Sequence, residues 1–175
     1  RQRQMCIRDR TRMGLCMWLY HGTYSQYYKT IKKQGLILPD ANKDTVTQEL
    51  DALINNRAGR KLRGGCVYLS NDKDTMMGFD EYFRISTSWI DTRLLYVANN
   101  RELDEILCRR SKEDMAKHID GYIKSYISYE NYLNVQEKYD RVYSPEFLYY
   151  APIVIYRGKP YRLPKSSQFD IKIGK

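Results

Sequence analysis

The amino-acid sequence predicts a mixed α+β fold in a single domain. The chain has 175 residues, which is the length of one ordinary domain. A chain of this length buries roughly 70% of its unfolded surface, so it needs no metal or disulfide to hold its core. Segments with the two-residue period of strands and the 3.6-residue period of helices both occur, but they do not alternate regularly. This order favours an α+β domain over a doubly wound sheet.

The first third of the chain predicts a strand at 16–20 and helices at 24–34 and 47–56. The strand is a short apolar run, and each helix carries apolar side chains at helical spacing. The first helix has a hydroxyl residue at its start to serve as N-cap and a glycine to end it. These residues are Thr23 or Ser25 and Gly35 at the helix ends, Tyr27, Tyr28 and Ile31 on the first apolar face, and Leu50, Leu53 and Ile54 on the second.

The middle of the chain begins with a basic, glycine-rich loop at 57–65. This loop is either a solvated connection or a contact for a phosphate or another anionic group. A strand at 66–69, a helix at 72–82 and a strand at 83–89 are expected to follow. The last of these alternates in polarity as half-buried strands do.

The last part of the chain predicts an apolar strand at 93–98 and helices at 101–109 and 112–128. We interpret residues from 101 to about 140 as a helical insertion. Ser111 and Asp114 are spaced as at the start of a capped helix. The apolar faces contain Leu103, Ile106 and Leu107 in the first helix and Met115, Ile119, Tyr122, Ile123 and Tyr126 in the second.

A strand region at 147–157 is expected to close the fold. Pro152 interrupts it, because proline cannot donate to a strand ladder, and this indicates a bulge or a sheet edge. A last short strand is predicted near 161–163.

The net charge of the chain is +9. Residues 1–12 contain five arginines and one aspartate, so the remainder carries about +5. These first residues show neither a hydrophobic period nor turn chemistry, and they resemble a translated sequencing adapter. We therefore expect 1–12 to be a non-native leader and 13–175 to form the domain. The remaining charge suits an anionic small molecule as well as a nucleic acid.

The four cysteines are scattered, without a CxxC pair or a histidine at ligand spacing. This pattern argues against a metal site and favours the reducing cytoplasm. No apolar run approaches the roughly 18 residues of a membrane span, so no membrane association is expected.

The segment His21-Gly22-Thr23 is the strongest functional signal, because the chain has only two histidines. A histidine at this position could bind a ribose hydroxyl, and the glycine backbone could present an N–H and a C=O to a carboxamide. Tyr68 or Phe79 could stack on a flat ring. A carboxylate would then stabilise positive charge developing on a sugar carbon.

The order of these motifs resembles the ADP-ribosyltransferase superfamily, in the His-Tyr-Glu branch that includes diphtheria-type toxins and poly(ADP-ribose) polymerases. The resemblance rests on His21-Gly22-Thr23, Gln34-Gly35-Leu36 and Val67-Tyr68-Leu69-Ser70, and covers roughly residues 17–83. It implies a split antiparallel β-sandwich with NAD, the substrate, in a cleft. The activity that it implies is mono-ADP-ribosyl transfer, in which nicotinamide is cleaved from NAD and ADP-ribose passes to a protein or nucleic-acid acceptor.

The resemblance also implies roles for single residues. His21 would bind the adenosine-side ribose, and Gly22 would bind the nicotinamide amide with Thr23 beside it. Tyr68 and Phe79 would enclose the nicotinamide, and Ser70 would lie next to it. The branch's second stacking aromatic lies on the helix after the strand of Tyr68, and Phe79 best matches its place, with Tyr82 one turn further on. A phenylalanine there keeps the ring and lacks the hydroxyl.

Glu146 is the candidate for the catalytic glutamate. It follows Pro145 at the start of a late apolar strand, where the family carries its glutamate. Glu130 and Glu137 are the rivals, and both lie in a helix-like polar stretch. An exposed carboxylate at a strand entry is the alternative interpretation of Glu146.

Three other signals have simpler explanations. The Ser-Thr-Ser run at 86–88 comes one element too late for the superfamily's Arg-Ser-Glu branch and is interpreted as a polar strand face. His118 is expected to be a surface or boundary histidine in a helix. Cys66 is expected to be a small core residue rather than a nucleophile.

Two other functions remain open alongside ADP-ribosyl transfer. An RNA 2′-phosphotransferase shares this fold and consumes NAD, but uses arginines together with its histidine, and only His21 can be matched. A non-catalytic, basic nucleic-acid-binding module would use the 17 tyrosines to stack bases. Structural tyrosines in strands and helices are the simpler interpretation.

Overall fold

The computed structural model describes residues 16–39, 44–108 and 111–155, and the backbone of 169–173. The expected leader at 1–12 and the strand predicted near 161–163 lie outside these residues. The described part is mixed α and β, with antiparallel strand pairs. It divides into two compact units, which we call the first unit (1–37, 69–92 and 153–175) and the second unit (38–68 and 93–152).

The first unit is organised around two long antiparallel strands. β1 (Trp18–Thr23) and β4 (Glu81–Ser86) pair through six residues each. β9 (Phe169–Ile173) pairs with the other edge of β4. The end of β3 (Val67–Ser70) meets β1 at a single register pair, Tyr20 with Ser70.

An α-helix and a short strand pair also belong to the first unit. α1 (Ser25–Gln34) follows β1, and β2 (Leu36–Ile37) pairs with β8 (Ile153–Val154). Gly35 ends α1 as predicted, with φ of 71° and its N–H bonded to the Ile31 carbonyl. The predicted caps were wrong, because Tyr24 is the N-cap and provides no side-chain hydrogen bond.

The second unit combines four helices with a small antiparallel sheet in its described residues. The helices are α2 (Thr45–Ala58), α3 (Asn100–Cys108), α4 (Lys112–Ser125) and α5 (Tyr129–Val142). The sheet has the order β6 (Ile127–Ser128), β5 (Leu95–Asn99) and β7 (Pro145–Tyr149). The apolar faces of α2, α3, α4, β5 and β7 meet in one core, which includes Leu50, Ile54, Leu62, Ala98, Ile106, Ile119, Tyr122 and Leu148.

Several predicted elements differ from the structure. β1 extends through His21-Gly22-Thr23 instead of ending at residue 20, so this motif is strand. The helix predicted at 72–82 is a 3₁₀ helix, Lys73–Gly78, and the next strand begins at Glu81. The strand predicted at 83–89 ends at Ser86, and a 3₁₀ turn, Thr87–Trp89, follows it.

Two further differences concern helix faces and the end of the chain. Leu53 and Leu107 were expected to face inward, but they are 44% and 55% exposed. Each lies next to a buried position of its helix. Both are exposed because the helix face that packs into the core is narrower than the apolar face in the sequence. β9 was missed because the sequence after residue 163 was interpreted as a polar tail, although residues 169–173 alternate apolar and polar as strands do. β9 pairs with β4, which is distant in sequence. The predicted Ser111 cap is confirmed by its bond from the Asp114 N–H at 3.1 Å.

Membrane-spanning helices are absent from the part of the chain that the structure describes, since none there is both long and apolar enough.

The loop after α2 is held by one side chain of that helix. The Asn55 Oδ1 accepts hydrogen bonds from the N–H groups of Leu62 and Arg63 at 2.7 and 2.9 Å. The Asn55 Nδ2 donates to the Arg63 carbonyl at 2.8 Å. Gly59, in the left-handed conformation at φ 65°, turns the chain out of α2. Asn55 thereby fixes the backbone that carries Arg63.

Replacing Asn55 with alanine is expected to lower the free energy of unfolding by about 1–3 kcal/mol, because two backbone N–H groups lose their acceptor. Chemical denaturation followed by circular dichroism measures this loss. Asn56→Ala is the matched control, since Asn56 is exposed at the next position of α2. Its effect should stay within about 0.5 kcal/mol. Equal losses in both variants would contradict the role of Asn55.

Candidate functional site

The motif His21-Gly22-Thr23 ends β1, and its register with β4 fixes the face of each side chain. His21 lies opposite Phe83, Gly22 opposite Tyr82 and Thr23 opposite Glu81. Directly opposed residues of an antiparallel pair point to the same face, and neighbours along a strand point to opposite faces. His21 and Thr23 therefore share one face, and Gly22 lies on the other.

Phe79 packs directly on Gly22. A Cβ built on Gly22 would lie 2.2 Å from the Phe79 Cδ2 atom, so the ring takes the space of a side chain at position 22. The Phe79 ring is 36% exposed, and the Tyr24 ring lies beside it at a centroid distance of 5.4 Å. The structure thus brings together two residues that the sequence selected separately, across 57 positions of chain.

Ser70 lies at the end of β3 with its hydroxyl engaged in a local turn. Its Oγ accepts from the Asp72 N–H at 3.0 Å and can donate to the Asp72 carbonyl at 3.2 Å. Its backbone is in register with Tyr20 of β1. Ser70 is therefore near the motif in the sheet, while its side chain stabilises the turn into the 3₁₀ helix.

Tyr68 and Glu146 belong to the second unit, where both contact Arg63. The Arg63 side chain is 4% exposed. Its Nε donates to the Asp51 Oδ1 at 2.7 Å, and its Nη1 donates to the Glu146 Oε2. The guanidinium lies 4.7 Å from the centre of the Tyr68 ring. We call Asp51, Arg63, Tyr68, Tyr122 and Glu146 the buried charge network.

Two phenols complete the buried charge network. The Tyr122 hydroxyl accepts from the Arg63 Nη1 at 2.9 Å and donates to the Glu146 Oε2 at 3.2 Å. The Tyr68 hydroxyl donates to the Asp51 Oδ2 at 3.3 Å. Burial raises the pKa of both phenols well above the ordinary value. They stay protonated at neutral pH and can donate to the carboxylates.

The charge of Arg63 is fixed by its surroundings. Burial alone would lower its pKa, but the Glu146 carboxylate and the adjacent phenols outweigh burial and raise it. One guanidinium thus faces two carboxylates below the surface of the second unit. A buried ion pair is stable only when its geometry is good and the remaining lone pairs are bonded. Tyr122 and Tyr68 supply part of this bonding, because each hydroxyl donates to one of the two carboxylates.

Sequence reasoning missed this network. The loop predicted at 57–65 begins later, because α2 includes Arg57 and Ala58, and Arg63 is buried instead of solvated. The available signal was Asp51, which lies between Leu50 and Ile54 on the apolar side of α2. A charged residue on an apolar helix face indicates a buried partner of opposite charge.

A shallow cavity of about 440 Å³ lies in the second unit. It borders the buried charge network through Asp51 and Arg63, and its other walls are polar or small. These are Gln48, Ala52, Asn55, Lys61, Gly64 and Gly65.

The residues set aside by sequence reasoning have structural partners. His118 Nδ1 lies 2.6 Å from the Glu102 Oε2, and both side chains are partly buried. Cys66 is fully buried in the core. Ser86 and Ser88 bond each other at 2.8 Å, close to Cys16. Within the ranges that the structure describes, no cluster of histidine, cysteine, aspartate and glutamate could hold a metal ion.

Comparison with known proteins gives no match: no family model, no curated protein and no solved structure is similar to this chain.

Replacing Arg63 with methionine is expected to lower the free energy of unfolding by about 3–5 kcal/mol, because two buried carboxylates lose their shared cation. Urea denaturation measures the loss. Arg57→Met is the matched control, since Arg57 pairs with Asp120 at 2.8 Å on the surface, where both side chains are more than half exposed. An exposed pair contributes little, so this variant should unfold like the wild type. Similar losses in the two variants would show that burial does not determine how much Arg63 contributes to the free energy of unfolding.

Proposed function

We propose that this protein is an NAD-dependent ADP-ribosyltransferase. The bond between C1′ of the ribose and the nicotinamide nitrogen breaks, and its electron pair neutralises the pyridinium ring. An acceptor nucleophile then bonds to C1′ and loses a proton. The observation that carries this proposal is the contact of the Phe79 ring with Gly22, next to His21.

This contact suits a flat amide such as nicotinamide. The hydrogen-bonding groups of a strand lie in the plane of the sheet, while Phe79 covers Gly22 from the face. Among the described residues, the register of β1 with β3 is limited to Tyr20 with Ser70, whereas that with β4 runs through Thr23. The β3 side of Gly22 therefore lies outside the ladder. A carboxamide could bond that backbone edge while its ring packs near Phe79.

The reaction also needs a carboxylate, for which Glu146 stays the candidate that the resemblance selects. As the glycosidic bond breaks, C1′ acquires oxocarbenium character, and a fixed negative charge lowers the barrier. Losing one preorganised group of this kind typically costs ~3 kcal/mol. The hydrogen bonds of Glu146 to Arg63 and Tyr122 would hold such a carboxylate in one orientation.

The acceptor is a protein or a nucleic acid. Incubating the protein with NAD labelled in its ADP-ribose part and a cell lysate tests both classes, since label is then sought on protein and on nucleic acid. Phosphate transfer from a 2′-phosphorylated RNA would instead identify a phosphotransferase. Salt-sensitive RNA binding without NAD cleavage would identify a binding module.

Gly22→Ala is expected to reduce nicotinamide release from NAD by about tenfold or more, because the new methyl displaces Phe79 and small displacements in a site are costly. Chromatography of released nicotinamide measures the rate. Gly78→Ala is the matched control, since a Cβ there meets nothing within 4 Å. The proposed function is contradicted if the wild-type protein neither cleaves nor transfers from NAD.

Glu146→Gln is expected to retain NAD binding and to lose nicotinamide release by about a hundredfold, because the amide cannot stabilise the developing cation. Calorimetric titration and the nicotinamide assay separate the two effects, and a thermal melt confirms folding. Glu137→Gln is the control, because Glu137 is 90% exposed and pairs with Arg141 on α5. Wild-type turnover by Glu146→Gln would assign the carboxylate role elsewhere.

A further inference from the structure

Glu81, the first residue of β4, has a buried carboxylate oxygen without a hydrogen-bond partner. Its Oε2 is shielded from solvent, and no donor among the described side chains or backbone bonds it. Native structures satisfy nearly all buried polar groups, and each exception calls for an explanation, such as a strained or catalytic role or an absent bound group. The neighbouring Asp80 differs, because its Oδ2 accepts from the Ser25 N–H at 2.9 Å.

The sheet register puts Glu81 on the same face as His21. Glu81 is opposite Thr23, and Phe83, two residues further along β4, is opposite His21. Residues two apart on a strand share a face, so these four side chains lie on one side of the β1–β4 pair. Gly22 and its Phe79 contact are on the other side.

Helix α1 packs on this face through Tyr28. Tyr28 of α1 stacks on Phe83 at a centroid distance of 5.3 Å. Burial, and next the negative charge of Glu81, raise the pKa of Tyr28. Glu81 itself is partly exposed, and it lies on the face of the β1–β4 pair that α1 packs against.

The chemistry of a carboxylate restricts what completes this site. An ionised carboxylate only accepts hydrogen bonds, so the missing partner must be a donor. A ribose carries vicinal hydroxyls that donate in this way, and carboxylates bind the ribose of dinucleotides by this interaction in other folds. His21, on the same face, is the residue for which the sequence predicts ribose binding.

We propose that Glu81 is a positioning residue that accepts a hydrogen bond from a ribose hydroxyl of the bound dinucleotide. This inference rests on the proposed function, because it takes NAD as the ligand. The first unit would then bind the ribose through the Glu81 carboxylate and the nicotinamide amide through the backbone of Gly22. Glu81 acts in binding and orientation, and the bond-breaking step needs no proton from it.

The test uses calorimetric titration of NAD into the full chain and into Glu81→Gln. We expect Glu81→Gln to bind NAD about 10- to 100-fold more weakly, because a hydrogen bond to a charged group becomes one to a neutral amide. Asp74→Asn is the matched control, since it removes one exposed negative charge from the same unit. Its NAD affinity should equal that of the wild type.

A deoxyribose analogue of NAD that lacks the bonded hydroxyl identifies the contact. The wild type should lose affinity for the analogue relative to NAD, while Glu81→Gln should lose less, because its hydrogen bond to the hydroxyl is already weaker. Both the 2′-deoxy and 3′-deoxy forms of each ribose are used, so the hydroxyl is identified as well.

Stability of the free protein distinguishes a ligand role from a structural one. If the role of Glu81 is to bind a ligand, Glu81→Gln should unfold at the same denaturant concentration as the wild type or at a higher one. The reason is that the substitution removes an unsatisfied buried charge. A less stable Glu81→Gln, or one with wild-type NAD affinity, overturns this inference alone. A wild-type protein that does not bind NAD overturns the proposed function and this inference together.

Discussion

One buried guanidinium organises the second unit. Arg63 lies in the loop after α2, but its bonds reach Asp51 on α2, Tyr122 on α4 and Glu146 on β7. Each of these groups would be costly to bury alone, because a polar or charged group without partners loses its hydration. The network therefore determines which loop conformation is compatible with a closed core. Asn55 supports this network because its side chain bonds the backbone N–H and carbonyl of Arg63.

The two units contain buried carboxylates in different states. In the second unit Asp51 and Glu146 bond Arg63 and phenols, and the pKa of Arg63 is raised by its carboxylate partner against the effect of burial. In the first unit the Glu81 Oε2 is equally hidden but lacks a donor among the described residues. Satisfied charges are typical of structural networks, whereas an unsatisfied acceptor is a cost that a ligand can remove. This difference supports the ligand-binding role that we propose for Glu81, whereas the carboxylate that we propose to act at C1′, Glu146, is held in one orientation by its bonds to Arg63 and Tyr122.

Local sequence signals gave a good account of the helices and a partial account of the site. Gly35 and the Ser111 cap could be read directly, because both act within a few residues of their position. His21 and Phe79 were selected by a motif, and the structure brings the Phe79 ring against Gly22, beside His21. The contact of Phe79 with Gly22 could not be predicted, since it depends on how the 3₁₀ helix before β4 packs against β1.

By itself the sequence determined the α+β character, the position of most helices and the His21-Gly22-Thr23 motif, because periodicity, capping and turn chemistry are local properties of the chain. Only the tertiary structure decided that this motif continues a strand, that Arg63 is buried, and that the Glu81 Oε2 lacks a partner. These outcomes depend on strand register and on which charges meet inside a core. Both are set by contacts between residues far apart in sequence, which no local pattern records.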